Sequence, residues 1–215
     1  MINIVIPLDF SQTSMNAAHY AADMYKGRAD VKLILYHFYL HGEDIETAAD
    51  YLNSIKAELE SKGSLVETEL ESGEKFIDSL AAFAHIKSAY MVVMGLTGRT
   101  PMAQRFSGSN TLLMTEKEVC PVLIVPENAV FQGLSNALIT SEMKFVDESP
   151  CLLTVKRVLQ YFKPSLHILN VDSRYYISLT DEVKAEKDMM ESLLADLDPK
   201  FYFIDLYDFH EAVDV

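Results

Sequence analysis

The sequence predicts an α/β fold, a doubly wound open parallel sheet followed by a partial second copy of itself. Three observations point there. Strand-like and helix-like segments alternate along the chain, which is the pattern of βαβ units. Several strand segments are apolar almost throughout, as strands covered by helices on both faces must be. The alternation also restarts near residue 136, where one offset of 133 sets Asp9 opposite Glu142 and Phe38 opposite Val171.

Each element has its own signal. Asn3–Pro7 reads as a short buried strand, and Thr13–Tyr25 as a helix whose apolar face comes from Ala17, Ala18, Ala21, Ala22 and Met24. Val31–Leu40 is a second, nearly all-apolar strand. Glu46–Lys62 is an amphipathic helix ended by Gly63 at the C′ position. Leu65–Leu70 alternates like a strand nearer an edge. Glu74–His85 is helical, Tyr90–Met94 is a central strand, and Asn110–Lys117 is a helix. Pro121–Val125 is the last strand, bracketed by Pro121 and Pro126. These elements make one domain over residues 1–131, with Gln132–Ser135 as a linker.

The second copy spans residues 136–215. Its strands are Asn136–Thr140, Leu166–Val171 and Phe201–Leu206, and its helices are Pro150–Phe162 and Glu182–Leu197. It stops where the first copy enters its third helix, so it lacks the last strands and any glycine loop. In the usual doubly wound order the first strand is central, and half a copy leaves that strand's edge unpaired. The expectation is that the chain is a fragment of a longer tandem protein, or that another chain covers this edge.

Charge and composition exclude several classes. The 215 residues carry 18 Lys+Arg against 32 Asp+Glu, a net charge of −14. The acidity is even, with 10 basic and 17 acidic residues in 1–133 and 8 and 15 in 134–215. A chain that holds nucleic acid by its phosphates needs a basic stripe, so no nucleic-acid partner is expected. No apolar run approaches the roughly 18 residues of a membrane span, and the N-terminus reads as a strand rather than a signal peptide. No membrane partner is expected either. Cys120 and Cys151 form no metal-spaced pair and read as small buried apolar residues. Nothing requires an oxidising compartment, so the chain is assigned to the cytoplasm.

The chemistry concentrates in two loops. After the fourth strand the chain runs Gly95-Leu-Thr-Gly98, nine further residues, then Gly108-Ser109-Asn110 at the start of a helix. Ligands of open parallel sheets bind beyond the carboxyl ends of the strands, where strand order reverses. Gly95 and Gly98 let the main chain turn tightly and approach a phosphate without a Cβ in the way. Free amides and the helix dipole at Gly108, Ser109 and Asn110 favour an anion. A turn with Ser109 as a helix cap is the plainer alternative. The other loop, Pro7-Leu8-Asp9-Phe10-Ser11, ends the first strand, where a carboxylate accepts from a ribose hydroxyl or an exocyclic amine. Asp9 or Ser11 serves equally well as a helix cap.

These residues resemble the universal stress protein family. Pro-Leu-Asp-Phe-Ser-Gln-Thr-Ser-Met-Asn-Ala-Ala looks like the family's opening, and Tyr36-His37-Phe38 is similar to its Leu-His-Val. Gly95-x2-Gly98-x9-Gly108-Ser109 has the spacing of its ATP-binding signature, and Val119-Cys-Pro-Val-Leu-Ile-Val-Pro126 resembles its closing strand. The match covers residues 1–126; the second half resembles the family in arrangement only. The resemblance implies a flavodoxin-like, adenine-nucleotide α-hydrolase-like fold of strand order 3-2-1-4-5. It also implies a stress-associated sensor binding ATP, AMP or ADP. By position, Asp9 and the Phe38 main chain would contact adenine, with Pro7 and Leu8 lining its pocket. Gly95, Gly98, Gly108, Ser109 and Asn110 would hold ribose and phosphates, with Thr97 and Arg99 beside them. Phe38 departs from the usual valine, which narrows the base pocket or changes its stacking. In the second copy Glu142 replaces the aspartate and Thr140 the proline, so no nucleotide is expected there. The family's last strand pairs with that of a partner, which implies a homodimer through Pro121–Val125.

Other chemistries find little support. His37 and His41, four apart at a strand end, read as structural. No Walker lysine follows the glycine loop, and no nucleophile motif is present. Arg99 and Arg105 either clamp a triphosphate or are solvated loop cations. Mg²⁺ would arrive on the nucleotide's phosphates, since the chain supplies no cage of its own. At most, slow ATP hydrolysis remains as an activity. The adenylating loops of related folds, S-G-G-x-D-S and H-I-G-H, are missing. The alternative to a sensor is a structural or interaction module with a vestigial site.

Overall fold

Apolar strands separated by amphipathic helices build two parallel sheets, one in each of two units, Met1–Phe131 and Gln132–Val215. The computed structural model describes residues 1–40, 44–96, 110–146, 150–171 and 180–204, apart from the side chains of Pro150 and Cys151. In the first unit the order is β1 (Ile2–Pro7), α1 (Gln12–Met24), β2 (Val31–Tyr39), α2 (Ile45–Ser61), β3 (Leu65–Ser72), α3 (Phe76–Ile86) and β4 (Met91–Leu96). A helix α4 at 110–115 and β5 (Val122–Pro126) complete it. All strand pairs are parallel, in the order β3-β2-β1-β4-β5. This is the expected 3-2-1-4-5 fold.

Local chemistry sets the element ends. Ser11 caps α1, its side chain accepting from the Ser14 amide, and Asp44 caps α2 through Thr47. Gly63 at φ +93° closes α2. Its amide donates to Glu60 O at 3.0 Å, and the Ser64 amide donates to Leu59 O at 3.2 Å, the two bonds of a Schellman ending. The third helix starts at Phe76 rather than Glu74, because Glu74 lies in a bend and Lys75, at φ −127° and ψ 88°, is the non-helical cap residue.

One face of the sheet packs Val5, Ile34, Tyr36, Val92 and Met94 against Leu80, Phe83 and Ala84 of α3 and Met114 of α4. The opposite residues Ile4, Ile6, Leu33 and Leu35 are buried as completely, at 1% exposure or less. Each such side chain contributes about 1.5–3 kcal/mol on burial. The central strands β1, β2 and β4 are therefore apolar on both faces, and the loops at their carboxyl ends are left to carry polar groups.

The second unit holds β6 (Asn136–Thr140), α5 (Pro150–Phe162), β7 (Ser165–Val171), α6 (Asp181–Leu193) and β8 (Lys200–Ile204), with strand order β6-β7-β8. The helix expected to reach Leu197 stops at Leu193. Leu194 leaves helical geometry at φ −108°, and a 3₁₀ turn, Ala195–Leu197, follows and ends at Asp198 with φ 48°. Strand register repeats between the units. Asn3 faces Lys32 as Asn136 faces Ser165, and Ile34 faces Glu67 as His167 faces Lys200. Every one of these positions differs by 133. Among the described residues β6 pairs on one side only, with β7, and β5 only with β4.

Candidate functional site

β1 lies where the strand order reverses, with β2 on one side and β4 on the other. A cavity of about 440 Å³ opens there at the carboxyl ends of these strands, large enough for a mononucleotide. It gathers Pro7, Leu8 and Asp9 from the end of β1, Phe38 from β2, Gly95 from β4 and Asn110 from α4. Six of the eleven residues singled out in the sequence thus share one cavity. The other five, Thr97, Gly98, Arg99, Gly108 and Ser109, lie outside the described residues, as does Arg105.

The Asp9 carboxylate is held from behind. It accepts from the Ser11 amide at 3.0 Å and the Ser11 hydroxyl at 2.6 Å. Partial desolvation raises its pKa, but hydrogen bonds from Ser11 and Ser14 outweigh this and leave it below the ordinary carboxylate value. Asp9 is therefore a fixed acceptor at neutral pH, and Ser11 both caps α1 and orients the acid. Phe10 between them sits in the left-handed region at φ 59°. Its ring packs tilted against His37 at 4.5 Å and against Tyr51 at 5.5 Å, which holds a backbone that costs of order 1–2 kcal/mol. His37 is buried, and its Nδ1 lies 2.7 Å from Leu8 O. A carbonyl can only accept, so Nδ1 carries the proton.

The far wall is aromatic. Phe38 packs against Phe76 with ring centroids 5.7 Å apart. A Cβ on Gly73 would stand 3.1 Å from the Phe38 ring, so glycine makes room for it there. Gly95 has a packing reason to be glycine. A Cβ there would lie 2.4 Å from the Thr13 carbonyl oxygen, so the space is filled by the main chain of α1. Two carboxylates, Asp9 and Glu74, line the cavity, and no Lys, Arg or His does so among the described residues. These walls suit the uncharged nucleoside part of a ligand better than its phosphates.

Sequence reasoning missed Ser11, Thr13, Ser14, Leu40, Glu74, Phe76, Met94 and Thr111 as lining residues. The first three were visible in the quoted opening motif. Glu74 and Phe76 follow Gly73, and that glycine was the available signal. Among the described residues no group of three His, Cys, Asp or Glu could hold a metal. Cys120 is half-buried against the apolar core. In the second unit Glu142 is 83% exposed and pairs with Lys144 at 3.0 Å. No helix among the described residues is long and apolar enough to cross a membrane.

Fold and cavity together define an open parallel α/β domain with a cavity at its switch point. The model of the universal stress protein family matches residues 1–126, and the chain belongs to that family. Among solved structures it is similar to the hypothetical protein MJ0577, whose biochemical function was assigned from structure. There the identity is 25% and the TM-score 0.51, over 58% of this chain and 94% of that one. A universal stress protein in complex with cAMP has 23% identity and TM-score 0.50, over 59% and 98%. A universal stress protein from Archaeoglobus fulgidus matches 98% of this chain and 80% of its own, with 18% identity and TM-score 0.70. The last shares its fold with both units. No curated protein sequence matches the chain.

Proposed function

We propose that the chain is a regulatory protein binding one adenine nucleotide, ATP or its AMP and ADP relatives, in its first unit. The observation that carries this is the convergence of Pro7, Leu8, Asp9, Phe38, Gly95 and Asn110 on one cavity at the switch point. In this reading the ionised Asp9 accepts from the adenine amine or a ribose hydroxyl, and Phe38 and Phe76 wall the base. The loop from Gly95 to Asn110 holds ribose and phosphates, through Thr97, Gly98, Arg99, Gly108 and Ser109. Mg²⁺ enters on the phosphates. A solved structure with a similar fold holds cAMP, which supports adenine as the base.

The second unit is proposed as a partial second copy without a nucleotide, a reading supported by the shared offset of 133 and by the outward-turned Glu142. Homodimerisation through β5 and a cytoplasmic location complete the proposal. Light scattering on the purified chain tests the dimer. Equilibrium binding of AMP and ATP, with Asp9→Ala as control, tests the site. Binding that Asp9→Ala weakens tenfold or more supports it, and binding indifferent to Asp9 removes the adenine assignment. A chain that binds no nucleotide at millimolar concentration is a structural or interaction module instead.

A further inference from the structure

The corner that carries Asp9 is built twice in this chain. In the first unit the Leu8 amide donates to Tyr36 O at 2.8 Å, His37 Nδ1 donates to Leu8 O at 2.7 Å, and Phe10 sits at φ 59°. In the second, the Ser141 amide donates to Leu169 O at 2.9 Å, Asn170 Nδ2 donates to Ser141 O at 2.8 Å, and Met143 sits at φ 52°. All four positions, Leu8, Phe10, Tyr36 and His37, correspond to Ser141, Met143, Leu169 and Asn170 at the offset of 133. The tie is preserved although the side chain making it is not. His37 and Asn170 share a planar N–H donor, at 8% and 6% exposure, aimed at the same carbonyl.

Leu8 is itself 3% exposed, so its carbonyl needs a partner inside the protein. His37 supplies that partner from under the cavity without lining it. We propose that His37 is a positioning residue for the nucleotide. Its N–H bond to Leu8 O fixes the Leu8-Asp9-Phe10 corner, so the Asp9 carboxylate faces the cavity before a ligand arrives. The Phe10 ring packs against the imidazole with centroids 4.5 Å apart. Fixing an acceptor in advance spares the ligand the cost of ordering it. The inference rests on the proposed role of Asp9 in binding, but the ordering of the corner is a property of the ligand-free chain.

The second unit designates the informative variants. His37→Asn keeps a planar N–H donor, and His37→Leu keeps the volume and loses the donor. In calorimetry with AMP on the full chain, His37→Asn binds within threefold of wild type and His37→Leu at least tenfold more weakly. In the ligand-free chain, amide hydrogen exchange at Asp9–Ser11 accelerates in His37→Leu and not in His37→Asn. Wild-type affinity in His37→Leu, or a folded His37→Asn that binds as weakly as His37→Leu, overturns the inference. If His37→Leu does not fold, His37→Asn decides alone. If wild type binds no AMP, the proposed function fails and the exchange experiment still decides, unchanged exchange in His37→Leu overturning the positioning role.

Discussion

Gly95 offers a perturbation whose cost follows from the structure. Its backbone does not lie in the left-handed region, so alanine at 95 meets no torsional penalty. What it meets is the main chain of α1. The new Cβ would stand 2.4 Å from the Thr13 carbonyl oxygen and 2.7 Å from its carbon, where ordinary contact begins near 3.4 Å. β4 and α1 must separate by about 1 Å, although both are packed against the same core. Overpacking of this kind costs about 1–3 kcal/mol, and the roughly 0.4–1 kcal/mol gained by restricting the unfolded chain offsets only part of it. Gly95→Ala should therefore lose about 1–2 kcal/mol net, which moves a urea midpoint by roughly 0.5–1 M at the usual slope. Thr13→Ser, which trims the Thr13 Cγ2 at 3.0 Å, should not rescue it, because the obstruction is backbone. A Gly95→Ala chain as stable as wild type, or one restored by Thr13→Ser, refutes the reasoning.

Three further predictions concern the core, a helix cap and an ion pair. Leu80, fully buried where α3 meets the sheet, should cost about 2–5 kcal/mol on replacement by alanine, read from the denaturation midpoint. Ser11→Ala should lose about 1 kcal/mol of capping energy and raise the Asp9 pKa, checked by urea unfolding and by NMR titration of the Asp9 carboxylate. Glu67 accepts from Lys32 at 2.8 Å and Lys87 at 2.9 Å, and these bonds lower its pKa to about 2. A lowered carboxylate stabilises the fold above its unfolded value of 4.5, and that stability fades as pH falls toward 2. Because the pair is about a third exposed, Glu67→Gln should cost no more than about 1 kcal/mol at pH 7. The melting-temperature gap to wild type should close between pH 4.5 and 2, and a gap that widens on acidification contradicts the assignment.

Much of the architecture was legible because each signal is local. Gly63 ends α2 by a backbone conformation that favours glycine, and Ser11 caps α1 by a side chain of the right length. The nearly all-apolar run Val31–Leu40 reads as a strand with helices on both faces, and the strand found is Val31–Tyr39. Asp9 follows from its place at the end of the first strand, whereas Phe38 beside it follows from the family resemblance. What sequence could not supply depends on distant partners. The Thr13 carbonyl that fills the space at Gly95 belongs to another element, and so does the Phe76 ring against Phe38. His37 reads as an ordinary strand residue until the Leu8 carbonyl is seen beside it. The break at Leu194 escaped because the amphipathic pattern continues across it into the 3₁₀ turn.

The central claim is one adenine-nucleotide site per chain, built on the β1–β4 switch point. Calorimetric titration of the purified chain with AMP and with ATP tests it most directly. Saturable binding at one site per chain, weakened at least tenfold by Asp9→Ala, is the expected result. No heat of binding at millimolar nucleotide, or two sites per chain, would contradict it.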